Sequence, residues 1–95
     1  RFDHLPNRRA IVDRRALAEA LAALPDEDAP VLRRGAVAVL RAALEDGREE
    51  IARRLSAQPS RGLEATNAGA LLIDGVVEAL FAFTVARLHP SHNPT

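Results

Sequence analysis

Six prolines decide where this chain can be helical. Pro in a helix interior costs about 3 kcal/mol, because its ring removes a backbone donor and crowds the preceding turn. Pro6 closes a short leader, and Pro25 and Pro30 bracket the acidic stretch Pro25-Asp26-Glu27-Asp28-Ala29-Pro30. Pro59 sits in a second break, while Pro90 and Pro94 mark the end. Between these breaks Ala and Leu dominate, both strong helix formers. The few β-branched residues never alternate as a strand requires. The chain therefore reads as a leader over 1–12 and one helical domain over 13–95, with helices at about 13–24, 30–57 and 63–88. The expected fold is all-α, a three-helix bundle dominated by a long antiparallel hairpin. Because Arg1 rather than Met stands first, a piece of a longer multidomain polypeptide is expected.

Each helix has its own apolar pattern. In the first, Asp13 is placed to cap the opening turn, and Ile11 and Val12 precede it as a hydrophobic staple. Leu17, Leu21 and Leu24 then recur at spacings of four and three as a narrow stripe. Asp28 is placed to cap the second helix, with Pro30 in its first turn. Leu32, Ala36, Val39, Leu40, Ala43, Leu44, Gly47, Ile51 and Leu55 form one buried face along this helix, which is about 40 Å long. Glu49–Arg53 and Glu50–Arg54 are spaced to pair across its polar side. Gly47 falls on the apolar stripe, where it marks a point of close helix approach.

The third helix differs. Leu72, Phe83, Val76, Leu80, Ile73, Val77, Leu88 and Phe81 fill about half its circumference, and Leu71 and Val85 widen the arc. One antiparallel neighbour needs a stripe of only about 100°. Two neighbours are therefore expected, and a remaining face near Phe81, Val85 and Leu88 is predicted to dock something outside these 95 residues. A homo-oligomer of the isolated chain is one expected consequence.

Composition removes several functional classes. Thirteen arginines balance thirteen acids, and Lys, Cys, Met, Trp and Tyr are absent. Without Cys there is no disulfide framework and no thiol chemistry, which fits a reducing compartment. No apolar run approaches the roughly 20 residues of a membrane span, so no membrane partner is expected. The pairs Arg8-Arg9, Arg14-Arg15, Arg33-Arg34 and Arg53-Arg54 invite a nucleic-acid reading. Interleaved acids at Asp13, Glu19, Glu45, Glu49 and Glu50 dilute them, and no Tyr or Trp offers a stacking platform, so a solvated ion-paired surface is preferred.

Chemistry is equally sparse. The carboxylates Glu45, Asp46, Glu49 and Glu50 are surrounded by arginines and read as an exposed charged face. His89 and His92 flank Pro90-Ser91, and His4 lies in the leader; a structural zinc site needs more ligands than these provide. Ser56, Ser60 and Ser91 stand in or beside breaks with no base partner in a recognisable arrangement. No catalytic, cofactor-binding or metal-binding residue is expected.

Three segments carry a resemblance. They are Leu44-Glu45-Asp46-Gly47-Arg48-Glu49-Glu50-Ile51-Ala52-Arg53-Arg54-Leu55, the helix Ala70-Leu71-Leu72-Ile73-Asp74-Gly75-Val76-Val77-Glu78-Ala79-Leu80-Phe81-Ala82-Phe83, and the ending His89-Pro90-Ser91-His92-Asn93-Pro94-Thr95. Their order and spacing resemble the N-terminal helical region of the bacterial bifunctional uridylyltransferase/uridylyl-removing enzymes, which modify the PII nitrogen-regulatory protein. The leader Ile11-Val12-Asp13-Arg14-Arg15-Ala16-Leu17 fits that family's opening helix. In the family a nucleotidyltransferase domain follows the Asn-Pro-Thr boundary, with a glycine-rich turn and paired aspartates that hold Mg²⁺ and UTP. An HD hydrolase and glutamine-sensing ACT domains come later.

The resemblance implies a cytoplasmic parent enzyme whose partners are PII and the downstream nucleotidyltransferase domain. It carries no catalytic or ligand residue onto positions 1–95. A stand-alone helical interaction or dimerisation module is the alternative.

Overall fold

The computed structural model describes residues 7–88, and all of its regular elements are helical. Helix α1 spans Arg8–Ile11, α2 Arg14–Ala22, α3 Ala29–Ala57 and α4 Gly62–Phe83, and α4 runs on into a π-helical turn at Thr84–Leu88. The all-α expectation therefore stands at the level of class. The count of three helices is corrected to four, because a further short helix forms inside the expected leader.

That short helix needs help from outside itself. Its N-cap Asn7 adopts a left-handed conformation, φ 48° and ψ 58°, which Asn tolerates better than most residues. Arg54 of α3 steadies the turn, its Nη2 donating to the Asn7 carbonyl at 2.9 Å. Ile11 and Val12 follow and are both buried in the core. Their packing reaches beyond a local staple: Ile11 presents its carbonyl to Gly47, and Val12 lies against Gly75.

Helix α2 begins where the sequence indicates. Asp13 has extended backbone, and the Ala16 N–H donates to its Oδ1 at 3.1 Å. Leu17 and Leu21 are buried, and Leu24 packs against the cluster from the hinge. At the start of α3, Asp28 occupies the N-cap position but its side chain makes no cap hydrogen bond. Its carbonyl accepts from the Leu32 N–H at 3.0 Å instead, and Pro30 fills the first turn.

Along α3, Leu32, Ala36, Leu40 and Gly47 are buried, while Val39, Ala43, Leu44 and Ile51 pack against the core in part. Leu55, expected on that face, is exposed because the cluster ends before the last turn of the helix. After the turn at 58–61, α4 runs back along α3: Leu72 meets Gly47, and Ala65 and Ala68 share a cleft with Ile51, Arg54 and Leu55. Helix α4 also packs on α1 and α2. These neighbours bury Ala68, Leu71, Leu72, Gly75, Val76 and Phe83, all on one side of α4. The result is elongated, 53 × 23 × 16 Å, with a radius of gyration of 15.5 Å where a compact domain of this size has about 12 Å.

One helix bears on the membrane expectation without overturning it. Taken through its π turn, the helix Gly62–Arg87 is 26 residues long and reaches a hydropathy of 1.8, so by length and composition alone it could cross a bilayer. No unbroken apolar run reveals this, because Asp74 and Glu78 interrupt the segment while its average stays apolar. Core helices have the same property, and one side of α4 lies in the chain's own core.

Candidate interaction surfaces

Gly47 is the closest point between α3 and its neighbours. A Cβ there would lie 2.5 Å from Leu72 Cδ1 and 2.6 Å from the Ile11 carbonyl oxygen, so α1, α3 and α4 converge on a hydrogen atom. Gly75 does the same more loosely for α4, with both Val12 methyl groups 3.1 Å from an added Cβ.

A polar clasp closes the opposite end of the molecule. Helix α2 has no basic residue in its last turn to meet its unpaired carbonyls. Arg87 supplies the cation from 63 to 66 residues away. Its Nη1 donates to the carbonyls of Leu21 at 3.1 Å and Ala22 at 3.2 Å, and its Nη2 donates to Leu24 O at 2.8 Å and Asp26 Oδ1 at 3.1 Å. The π turn makes this reach available. A π turn advances each residue by less than the roughly 100° of an α-helix, so Arg87 swings toward the side of α4 that carries Val12 and Arg14. Thr84 Oγ1 donates back to the Leu80 carbonyl at 2.9 Å, a bond that bends helices at such positions.

The charged face of α3 is ordered around one acid. Glu50 accepts from Arg53 Nη2 at 2.5 Å and from Arg54 Nε at 2.6 Å. The expected Glu49–Arg53 pair is thus replaced by Glu50–Arg53, since side chains three and four apart are equally near on a helix. Hydrogen bonds from Arg53 and then Arg54 hold the Glu50 carboxyl below its ordinary pKa of 4.5. Arg54 Nη1 is buried without a hydrogen-bond partner beside a cleft of about 400 Å³ between the ends of α3 and α4. Among the described residues no group of three His, Cys, Asp or Glu side chains could hold a metal ion. His4, His89, His92 and the Asn93-Pro94-Thr95 ending lie outside the described residues, as does the side chain of Leu88.

The outer side of α4 is the largest feature left. Phe81 is 70 % exposed and Val85 40 %, and Ile73, Val77, Leu80 and Leu63 are exposed with them. Asp74 and Glu78 border this surface, and Glu78 pairs with Arg14 at 3.3 Å. Nothing in the surface is nucleophilic or acid–base in character. Its chemistry is burial of apolar area against a partner.

Comparison with known proteins gives a consistent ancestry. The chain is 43 % identical over 89 residues to the bifunctional uridylyltransferase/uridylyl-removing enzyme of Novosphingobium aromaticivorans, covering 94 % of this chain and 10 % of that protein. It is 43 % identical over 94 residues to the enzyme of the same name from Azospirillum brasilense, covering 97 % and 10 %. With that of Rhodospirillum rubrum it shares 36 % identity over 90 residues, covering 92 % and 10 %. No family model and no solved structure matches. Over nearly all of its own length, and a tenth of theirs, this chain is homologous to the bifunctional uridylyltransferase/uridylyl-removing enzymes.

Proposed function

We propose that the chain is the non-catalytic N-terminal helical module of a cytoplasmic uridylyltransferase/uridylyl-removing enzyme. In this reading the α3–α4 hairpin, with α1 and α2 laid across it, forms the bundle that positions an adjoining nucleotidyltransferase domain. Phe81 and Val85 face that domain. The parent enzyme would transfer UMP from UTP to PII with Mg²⁺ and later remove it, while residues 1–95 contribute no reacting group. The observation that carries this is the alignment itself, which consumes 92–97 % of the chain and leaves nine-tenths of each relative unmatched.

The test has two parts. The natural coding sequence beyond Thr95 should continue into a Gly-Gly turn and an Asp-x-Asp pair; a stop codon there supports a stand-alone interaction module instead. In the continued protein, Phe81→Asp should uncouple the module, giving a separate early unfolding transition and reduced uridylyl transfer. A single unchanged transition with full transfer would refute the scaffolding role.

A further inference from the structure

The π turn at the end of α4 is not dictated by its own residues. Thr84-Val85-Ala86-Arg87-Leu88 holds no Gly or Pro, and Ala, Arg and Leu are strong α-helix formers. By local preference the segment would simply continue α4. A π turn closes its hydrogen bonds over five residues rather than four; it is rare, and where it occurs it is mostly a single turn inside an α-helix. Something outside the turn must therefore hold it. The bond from Thr84 Oγ1 to the Leu80 carbonyl does not suffice, since ordinary α-helices contain the same bond.

The phase of Arg87 identifies what holds the turn. Phe83 is buried and fixes the start of the turn in the core. In an unbroken α-helix Arg87 would stand about 40° past Phe83 around the axis, whereas Gly75, which Val12 and Arg14 approach, lies about 80° to the other side. The π turn advances each residue by less and brings Arg87 back across the line of Phe83 toward that side. There its guanidinium meets the carbonyls of Leu21, Ala22 and Leu24 and the carboxylate of Asp26. The Arg87 side chain is only 19 % exposed in this position. Its hydrogen bonds are charge-assisted, hence stronger than the neutral ladder bonds that the π turn distorts.

We infer that this clasp and the π turn form one two-state device, which sets the direction in which the chain leaves the bundle. With Arg87 seated on the end of α2, the last turn is π. With Arg87 released, the turn reverts to α. A π turn takes in one residue more than an α turn, so reversion rotates everything after it by about 100° around the axis of α4. The hinge at 23–28 thereby controls the exit of α4, and by linkage whatever turns that exit loosens or tightens the end of α2. The device rests on this chain's own contacts alone, independently of the enzymatic reading above.

NMR couplings transmitted across hydrogen bonds in the 95-residue chain read the two states directly. In the wild type the Leu88 amide should couple to the Phe83 carbonyl, five residues back; in Arg87→Met it should couple to the Thr84 carbonyl, four back. Deleting Ala86, an exposed residue of the turn, removes the extra residue itself. That variant should keep the bond between Phe83 and Leu88 as an ordinary α-helical one, retain the arginine on α2 with slowly exchanging guanidinium protons, and unfold in urea at a midpoint no lower than the wild type's. It also decides the matter should Arg87→Met fail to fold. A wild type coupled to Thr84, an Arg87→Met chain that keeps the Phe83 coupling or shows neither, or an Ala86 deletion that frees the arginine or lowers the midpoint would each overturn the inference.

Discussion

Gly47→Ala isolates the tightest contact in the molecule. An added Cβ would stand 2.5 Å and 2.7 Å from the two Leu72 methyl groups and 2.6 Å from the Ile11 carbonyl oxygen. The Leu72 side chain is flexible in principle, but it is only 2 % exposed and has nowhere to retreat. The Ile11 oxygen is backbone, so relieving that contact means displacing α1. Overpacking of this kind costs about 1–3 kcal/mol. Against it, Ala gains about 1 kcal/mol over Gly in a helix interior. The net expectation is a change between about zero and a loss of about 2 kcal/mol, and each kcal/mol lost lowers Tm by about 4–8 °C in a domain this small. Gly69→Ala is the internal control: nothing lies within 4 Å of a Cβ there, so only the propensity gain applies and Tm should rise. Thermal and urea unfolding followed by circular dichroism, at one fixed protein concentration, reads both. If Gly47→Ala gains as much stability as Gly69→Ala, the close approach of α1 and α4 to Gly47 is refuted.

Three further perturbations probe the rest of the fold. Arg87→Met strips the carbonyls at the end of α2 of their charged donor and should cost about 1–3 kcal/mol by urea unfolding; Arg87→Lys should recover only part, since an ammonium cannot span the same acceptors, and full recovery would rule out the forked geometry. Asp13→Ala should lose about 1 kcal/mol while Asp13→Asn keeps most of it, and equal midpoints for the two would show that the Ala16 N–H bond contributes nothing. Glu50 has a folded-state pKa below its ordinary 4.5, so its contribution is complete above that value and lost as pH falls through the depressed one. Glu50→Gln should therefore flatten the acid limb of the stability profile, and an identical limb in the variant would contradict this.

The parts of the fold that were legible in the sequence are those fixed by neighbours in the chain. Prolines and the Asp13 cap mark element ends, and a stripe at three-four spacing marks a buried face; both depend on residues within a turn or two. The short helix α1 depends on Asn7 holding a left-handed conformation against Arg54, 47 residues later, and no periodicity records such a bond. The π turn and its Arg87 clasp are hidden for the same reason, since their acceptors lie at the end of α2. Glu50 choosing Arg53 as well as Arg54 is a rotamer choice among spacings that sequence treats as equivalent.

Helix α4 is the instructive case, because its composition states how much apolar surface must be covered without stating by what. The wide arc implies more than one neighbour. Every neighbour nevertheless lies on one side: Leu72 meets Gly47 of α3, and Val12 lies against Gly75 on that same side. Adding helices within this chain therefore deepens one seam and leaves the other bare. Among the described residues nothing covers Ile73, Val77 and Phe81, so their cover must come from an element beyond the described helices.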